Sequence, residues 1–225
     1  MKVLAVILAR GGSKGIKRKN VIKIGGVPLI GRTVSTCLAC EVISDVVVST
    51  DDVEIATIAR EFGAEVVERP AEYATDSSSS ESALLHVCET WGIKEGRDYD
   101  LLMLAQNTTP FHSELDMTAV VQKMANGNCN SCITVTKTWR YHWAECDNGW
   151  EMPNQKRGNR QHRSPWFVEA GSLYCVQYKL FCQTMDLFAP PVEAVEIPEL
   201  RSIELDEPED IDKIRALAKL YDIPK

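Results

Sequence analysis

Twelve residues near the start of the chain hold the densest chemistry in the sequence: Ala9-Arg10-Gly11-Gly12-Ser13-Lys14-Gly15-Ile16-Lys17-Arg18-Lys19-Asn20. Five cationic side chains fall within residues 10–19, enough to offset the roughly four charges of a nucleoside triphosphate. Three glycines let the backbone approach an anion and turn N–H groups toward it. Two familiar phosphate loops do not fit. The Walker pattern needs Gly-Lys-Ser/Thr, which does not occur, and the dinucleotide fingerprint needs G-x-G-x-x-G, which Gly11-Gly12 breaks. A basic run can also be a nuclear address or a solvated turn. Neither explains why the glycines and Arg10 leave directly from the apolar run Val3–Ala9, a position where open α/β sheets seat their ligands.

Near the other end, Glu204 and Asp206 are separated by two residues. Arg201–Asp206 reads as a strand, which turns both carboxylates to one face. A hard Mg²⁺ takes one or two such ligands and completes its shell with water and phosphate oxygens. The plainer alternative is that Asp206 caps a helix opening near Pro208.

Charge is distributed unevenly. The 225 residues carry a net charge of −7, yet residues 1–40 hold eight Lys or Arg and no Asp or Glu. The remaining 185 residues carry 17 Lys and Arg against 32 Asp and Glu. A basic island on an acidic chain suits a small anion and argues against a nucleic-acid partner. No stretch reaches the roughly 18 apolar residues of a bilayer span, so no membrane partner is expected. The apolar run after Met1-Lys2 flows into Arg10-Gly11 without a cleavage site, so it reads as a buried strand rather than a secretion signal. Two C-x-x-C pairs, Cys37/Cys40 and Cys129/Cys132, are too far apart for a zinc ribbon and lack knuckle-forming flanks. Eight small buried thiols in a reducing cytoplasm are the expectation.

The elements that must position these groups alternate. Strands are expected at Val3–Ala9, Asp45–Thr50, Glu65–Val67, Asp100–Ala105, Ile133–Thr136, Ser172–Val176 and Arg201–Asp206. Helices are expected from Pro28 to Ala39, Val53 to Phe62, from a Ser78/Glu81 capping box toward Trp91, Leu115 to Ala125 and Pro208 to Leu220. This order predicts one α/β domain over 1–225, a mainly parallel twisted sheet flanked by helices. Residues 138–168 break the alternation. The stretch from Trp139 to Trp166 holds four of the five tryptophans, an Asp147-Asn148-Gly149 turn and the cluster Lys156, Arg157, Arg160, His162, Arg163. It reads as an inserted β-arm whose aromatics seek a partner subunit or fold back on their own domain.

The first motif, a strand followed by Ala-Arg-Gly-Gly-Ser-Lys-Gly-Ile-x-Arg-Lys-Asn, closely resembles the signature of the acylneuraminate cytidylyltransferases, or CMP-sialic acid synthetases. Further matches keep the order. They are Val48-Ser49-Thr50-Asp51-Asp52, Arg69-Pro70-Ala71-Glu72 before Thr75-Asp76, and Gln106-x-Thr108-Thr109-Pro110. Then come Arg160-Gln161 before Phe167-x-Glu169-x-Gly171-x-x-Tyr174, and Glu204-x-Asp206. The resemblance covers essentially the whole chain. It implies a GT-A-like, Mg²⁺-dependent nucleotidyltransferase, a homodimer or a pair of homodimers joined through a β-arm. Its reaction would pass CMP from CTP to the anomeric hydroxyl of an acidic sugar, a 2-keto-3-deoxy nonulosonic acid, and release pyrophosphate.

By the same resemblance, Arg10 and Lys19 hold the triphosphate, and these two with Asp206 are the catalytic group. Ala9, Gly11, Gly12, Ser13, Lys14 and Asn20 line the nucleotide pocket, with Arg69 and Ser80 near cytosine and ribose. Gln106, Arg160 and Gln161 meet the sugar acid, the last two by reaching across a dimer. Asp206 and Glu204 hold the metal. Arg69 as a surface ion pair, and the arm's cations as partners of the acidic remainder, stay open as structural alternatives.

The chain departs from the pattern at several places. Lys17 replaces a usual Pro; Asn107 and His112 stand where Pro and Arg are common, and a His there can be neutral at pH 7. Glu204 replaces the first of two Asp. His162-Arg163 stands where an acid is frequent, and Ala170 where Asn is. The phosphate end is kept and the sugar end altered, which suits legionaminic or pseudaminic acid as well as N-acetylneuraminic acid. Two alternatives remain: transfer to the eight-carbon Kdo, and a nucleotide-binding partner protein without turnover.

Overall fold

A single seven-stranded sheet organises the computed structural model, which describes residues 1–153 and 157–220. Lys156 of the basic cluster lies outside the described residues. In chain order the elements begin with β1 (Val3–Leu8), a small hairpin of β2 (Lys23–Ile24) and β3 (Val27–Pro28), α1 (Leu29–Ala39), β4 (Asp45–Thr50), α2 (Val53–Glu61) and β5 (Glu65–Glu68). Next come α3 (Ser80–Val87), β6 (Leu101–Ala105), α4 (Glu114–Ala125) and β7 (Ser131–Thr138). A second hairpin of β8 (Ala144–Cys146) and β9 (Gly149–Glu151) precedes β10 (Trp166–Gln177), α5 (Tyr178–Thr184), β11 (Val192–Glu196) and α6 (Pro208–Leu220).

The sheet order is β11-β7-β10-β6-β1-β4-β5. Every pairing is parallel except those of β10, which runs against both β6 and β7. The expected mainly parallel α/β sheet is therefore what the chain forms. Because β10 is reversed, its Glu169–Ser172 stretch lies at the sheet edge where the parallel strands end; Leu173 faces Ala105.

Strand β1 is apolar throughout because both its faces are covered. Val3, Ala5 and Ile7 join a cluster with Ile30 and Val34 of α1, Ile55 of α2 and Met117 and Val120 of α4. Leu4 and Val6 point the other way, into a cluster with Leu84 and Val87 of α3 and Phe181 of α5. A third, smaller cluster joins Ile16 of the basic loop, Ile24, Leu29 and Phe111 to Leu205, Ile214 and Ala218.

Several expectations need correction. Arg201–Asp206 is not a strand: Glu199–Ser202 forms a 3₁₀ turn, and Leu205 turns into the third cluster instead of a ladder. The apolar alternation of Ile203 and Leu205 mimics a strand because both face that small core. β11 and the short α5 carry too weak a pattern to have been anticipated; β11 alternates only between exposed and half-buried residues at the sheet edge. Helix α3 is capped by Ser79, which accepts from the Ser82 N–H, and not by Ser78. Ser78 instead accepts from the Thr75 N–H and donates to the Glu72 carbonyl.

All eight cysteines are free thiols, six of them buried, Cys182 half-buried and Cys146 exposed. Burial pushes the Cys37 and Cys132 thiols up to about 12. No helix among the described residues is long and apolar enough to cross a membrane.

Phe181 is fully buried on an element that the sequence pattern hides. Phe181→Ala should cost about 3–5 kcal/mol in urea unfolding; a loss below about 1 kcal/mol would show that α5 is not part of the core.

Candidate active site

The carboxyl ends of the parallel strands converge. β1 delivers Arg10, β4 delivers Asp51 and Asp52, β5 delivers Arg69 and β6 delivers Gln106. A cavity of about 250 Å³ opens among them, lined by Arg10, Arg69, Tyr73, Thr75, Asp76, Ser78, Ser79, Ser80 and Gln106, with Leu8 and Ala83 at its apolar wall. Four residues assigned from sequence to nucleotide or sugar thus share one pocket. Arg69 is no surface ion pair. It is 6% exposed, with Nε donating to Ser49 Oγ at 3.0 Å and Nη2 to the Ser49 carbonyl at 2.8 Å. Burial pulls its guanidinium down to about 10, so it keeps its charge at neutral pH and presents a fixed donor fork.

The basic loop spends most of its charge within the protein. Arg10 meets Asp76 at 3.0 Å and Lys14 meets the other oxygen of Asp76 at 2.7 Å. Lys19, mostly buried, contacts Asp206 Oδ1 at 3.1 Å. Arg18 pairs with Asp52 and Glu54 at the start of α2, and the Arg18 guanidinium holds Asp52 below the usual carboxylate range.

Three residues assigned to the nucleotide pocket do not line this cavity. Ala9 is buried and continues the β1 ladder through its N–H to the Ser49 carbonyl. The Gly11 N–H is already given to Asp51 Oδ1 at 2.8 Å. Asn20 is buried, and its amide bonds the Arg10 carbonyl and Asn107 rather than facing the cavity. Gly12 and Ser13 remain at the loop surface.

Although Glu204 and Asp206 are not on a strand, their carboxylates lie close enough to interact. Leu205 is buried between the partly exposed Glu204 and the exposed Asp206. Burial first, then the charge of Asp206, pushes Glu204 up to about 7. Two glycines permit this packing. A Cβ on Gly15 would come within 2.6 Å of the Asp206 carbonyl oxygen, so the loop can lie against that segment only as glycine. Gly171 has φ 57° at an irregularity between Glu169 and Tyr174, and a side chain there would collide with the Glu204 carboxylate. Asp206 does not cap α6; Asp210 reaches back to accept from the N–H groups of Asp206 and Glu207.

Two crowded carboxylates, one of them raised in pKa chiefly by burial, fit a hard divalent cation that keeps most of its shell for other oxygens. Among the described residues no group of three or more His, Cys, Asp or Glu is placed to hold a metal ion alone.

The segment after β6 is the joint of the site. Gln106 N donates to the Ser172 carbonyl, Thr109 Oγ1 to the Gly171 carbonyl, and Leu205 N to the Thr108 carbonyl. His112 bridges the Gln106 carbonyl through Nε2 at 2.8 Å and Ser172 Oγ through Nδ1 at 3.2 Å. Burial lowers its ring to about 4, so it is neutral at pH 7.

Arg160 and Gln161 do not line the cavity of this chain. They occupy an exposed 3₁₀ turn where the Arg160 guanidinium lies over Trp139, 4.9 Å from the ring centre. The pocket residues missed from sequence are Tyr73, Thr75, Ser78, Ser79 and, above all, Asp76. An acid beside a serine run is an ordinary surface pattern, and only the fold turns it toward Arg10.

Fold and site together describe an α/β protein whose main sheet ends, at the carboxyl ends of its parallel strands, in a cavity lined by Arg10 and Arg69. Comparison with known proteins names the group. A family profile described as cytidylyltransferase matches residues 4–220, and the chain belongs to that family. An N-acylneuraminate cytidylyltransferase A of Danio rerio is 32% identical over 188 residues, 80% of this chain and 43% of that protein. This chain therefore spans less than half the length of that relative. A pseudaminic acid cytidylyltransferase of Campylobacter jejuni is 25% identical, covering 98% of this chain and 97% of that one. A solved CMP:2-keto-3-deoxy-manno-octonic acid synthetase complexed with CTP has the same fold, with a TM-score of 0.75 at 16% identity over 98% of this chain and all of that one.

His112 supplies a pH test. Its proton affinity is lower folded than unfolded, so its contribution is complete above pH 6.5 and lost as pH falls toward 4. Unfolding free energy should fall by on the order of 2 kcal/mol across that window. His112→Gln should remove this part of the slope; an unchanged slope would show that the ring titrates normally.

Proposed function

We propose that the chain is a CTP-dependent cytidylyltransferase that transfers CMP to the anomeric hydroxyl of a sialic-acid-like nonulosonic acid, of N-acetylneuraminic, legionaminic or pseudaminic type, with release of pyrophosphate. The observation that carries this reading is the convergence of Arg10, Arg69, Ser80 and Gln106 on one cavity, with Lys19 of the same loop against Asp206. Family membership and the names of the zebrafish and Campylobacter relatives support it.

The reaction asks the protein to position groups and neutralise charge rather than to do covalent chemistry. Arg10 and Lys14 are suited to the outer phosphates, and Lys19 to the charge that develops at the α-phosphate. Arg69, rigid and buried, suits a base edge, because a wrong base would leave its donors unpaired. Asp206 with Glu204 would hold Mg²⁺, which when bound polarises the phosphate and lowers the pKa of the attacking hydroxyl. The Glu204 carboxylate lies half-buried over Gly171.

We also propose a homodimer built on the arm. Trp143, Trp150, Trp166 and Phe167 are each 39–65% exposed, an unusual concentration of aromatic surface that a second copy would cover. Across such an interface the Arg160 guanidinium suits the sugar carboxylate.

Incubation with CTP, Mg²⁺ and a panel of 2-keto-3-deoxy acids, followed by pyrophosphate release, tests the activity. Release is expected with a nine-carbon acid; none with any acid removes the catalytic reading, and release with Kdo alone replaces it. Asp206→Ala should lower turnover at least about 100-fold, the scale of one lost charge-stabilising group, with its circular dichroism unchanged. Undiminished activity would remove Asp206 from the mechanism. Sedimentation should give a dimer, and a Trp143→Asp, Trp150→Asp double variant a monomer; a wild-type monomer would refute the arm interface.

A further inference from the structure

A buried line of polar groups crosses from α1 to the basic loop. Thr33 Oγ1 lies 2.8 Å from Asn107 Oδ1, Asn107 Nδ2 lies 2.8 Å from Asn20 Oδ1, and Asn20 Nδ2 lies 2.8 Å from the Arg10 carbonyl. The three side chains belong to residues only 1%, 2% and 6% exposed. Their polarity is forced by chemistry. A carbonyl only accepts, so the Asn20 amide must turn its nitrogen to Arg10, which leaves its oxygen for Asn107. Asn107 must then give Asn20 its nitrogen, and its oxygen takes the Thr33 hydroxyl.

The line ends on a peptide that is held from its other side as well. The Arg10 carbonyl belongs to the same planar unit as the Gly11 N–H, which donates to Asp51. With both polar atoms fixed, the plane cannot rotate, and the direction in which Arg10 and the following glycines leave β1 is set. Asn107 also belongs to the joint whose neighbours Thr108 and Thr109 bond Leu205 and the Gly171 carbonyl. One residue therefore couples the loop to the segment bearing Glu204 and Asp206.

We propose that Asn107 is a positioning residue for the triphosphate loop, orienting Asn20 so that the Arg10–Gly11 peptide presents the loop to its anion in one geometry. This rests on the CTP reading of the site.

The decisive variant is Asn107→Asp, which matches the shape but has no donor. Asn20 must then either turn its nitrogen to the new carboxylate and set its oxygen against the Arg10 carbonyl oxygen, or keep its nitrogen on Arg10 and set its oxygen against the carboxylate; either way one pair of acceptors faces without a proton. Thr33→Val is the control; it removes the far donor and leaves the Asn107-to-Asn20 link intact. Calorimetric Kd for CTP with Mg²⁺ should rise at least about tenfold in N107D and less than about threefold in T33V, although urea unfolding shows both destabilised. In turnover the change should fall on KM for CTP and spare KM for the sugar acid.

Equal CTP affinity in N107D and the unaltered chain would overturn the proposal. So would losses in the two variants that merely track their stability, which is what a structural role predicts. Should N107D fail to fold, Asn107→Ser, which shortens the link without reversing it, replaces it, with Kd expected to rise about fivefold; an unchanged Kd there also overturns the proposal. If the unaltered chain binds no CTP, the functional reading fails separately, and inorganic tripolyphosphate becomes the probe of the loop, with the same ratio between variants required.

Discussion

Leu205 in the small cluster it shares with Ile16 is the anchor on which the site depends. Two carboxylates do not settle side by side, one of them half-buried, without something to force them. Here the force is apolar: burying Leu205 leaves Glu204 and Asp206 on either side of it, while burying Ile16 brings the cationic loop to the same place. Opposite charges then meet at Lys19 and Asp206. An exposed ion pair alone contributes little, so the hydrophobic contacts set the geometry and the charges make use of it. Gly15 lets the two segments close to backbone contact.

That division of labour explains what was legible in the sequence. β1, β4, β6 and helices α1, α2, α4 and α6 were readable because each carries a strong apolar period or a sharp boundary residue. The shared face of Glu204 and Asp206 was also readable, though for a different reason than supposed: a buried residue between two polar ones gives the same result on an irregular segment as on a strand. The internal bonds of Asn20 were not legible, because a loop rich in candidate ligand-binding residues invites one role for all its members. Its partner, Asn107, is 87 positions away, and nothing local marks the pair. Asp76 was likewise hidden, since its importance lies in which loop the sheet places opposite it.

The segment 106–112 shows how a departure from a family pattern can be absorbed. Asn107 makes two side-chain hydrogen bonds, and neutral His112 satisfies both ring nitrogens on the Gln106 carbonyl and Ser172. A charged side chain in that enclosed spot would need a counter-ion; a neutral imidazole needs only a donor and an acceptor. The altered residues thus behave as a matched internal set, and the surface that faces the cavity keeps Gln106.

Asp76 has a further consequence. With one oxygen on Arg10 and the other on Lys14, it is a resident counter-anion for both cations. Any newcomer must trade places with this carboxylate instead of landing on bare positive charge. Because both partners are substantially solvated, the swap is cheap for a compact polyanion that satisfies the two cations at once. A lone chloride or an isolated backbone phosphate gains far less from it. Through Asp76, two cations of a strongly basic turn sit at the surface of an acidic protein already matched by a charge of their own chain.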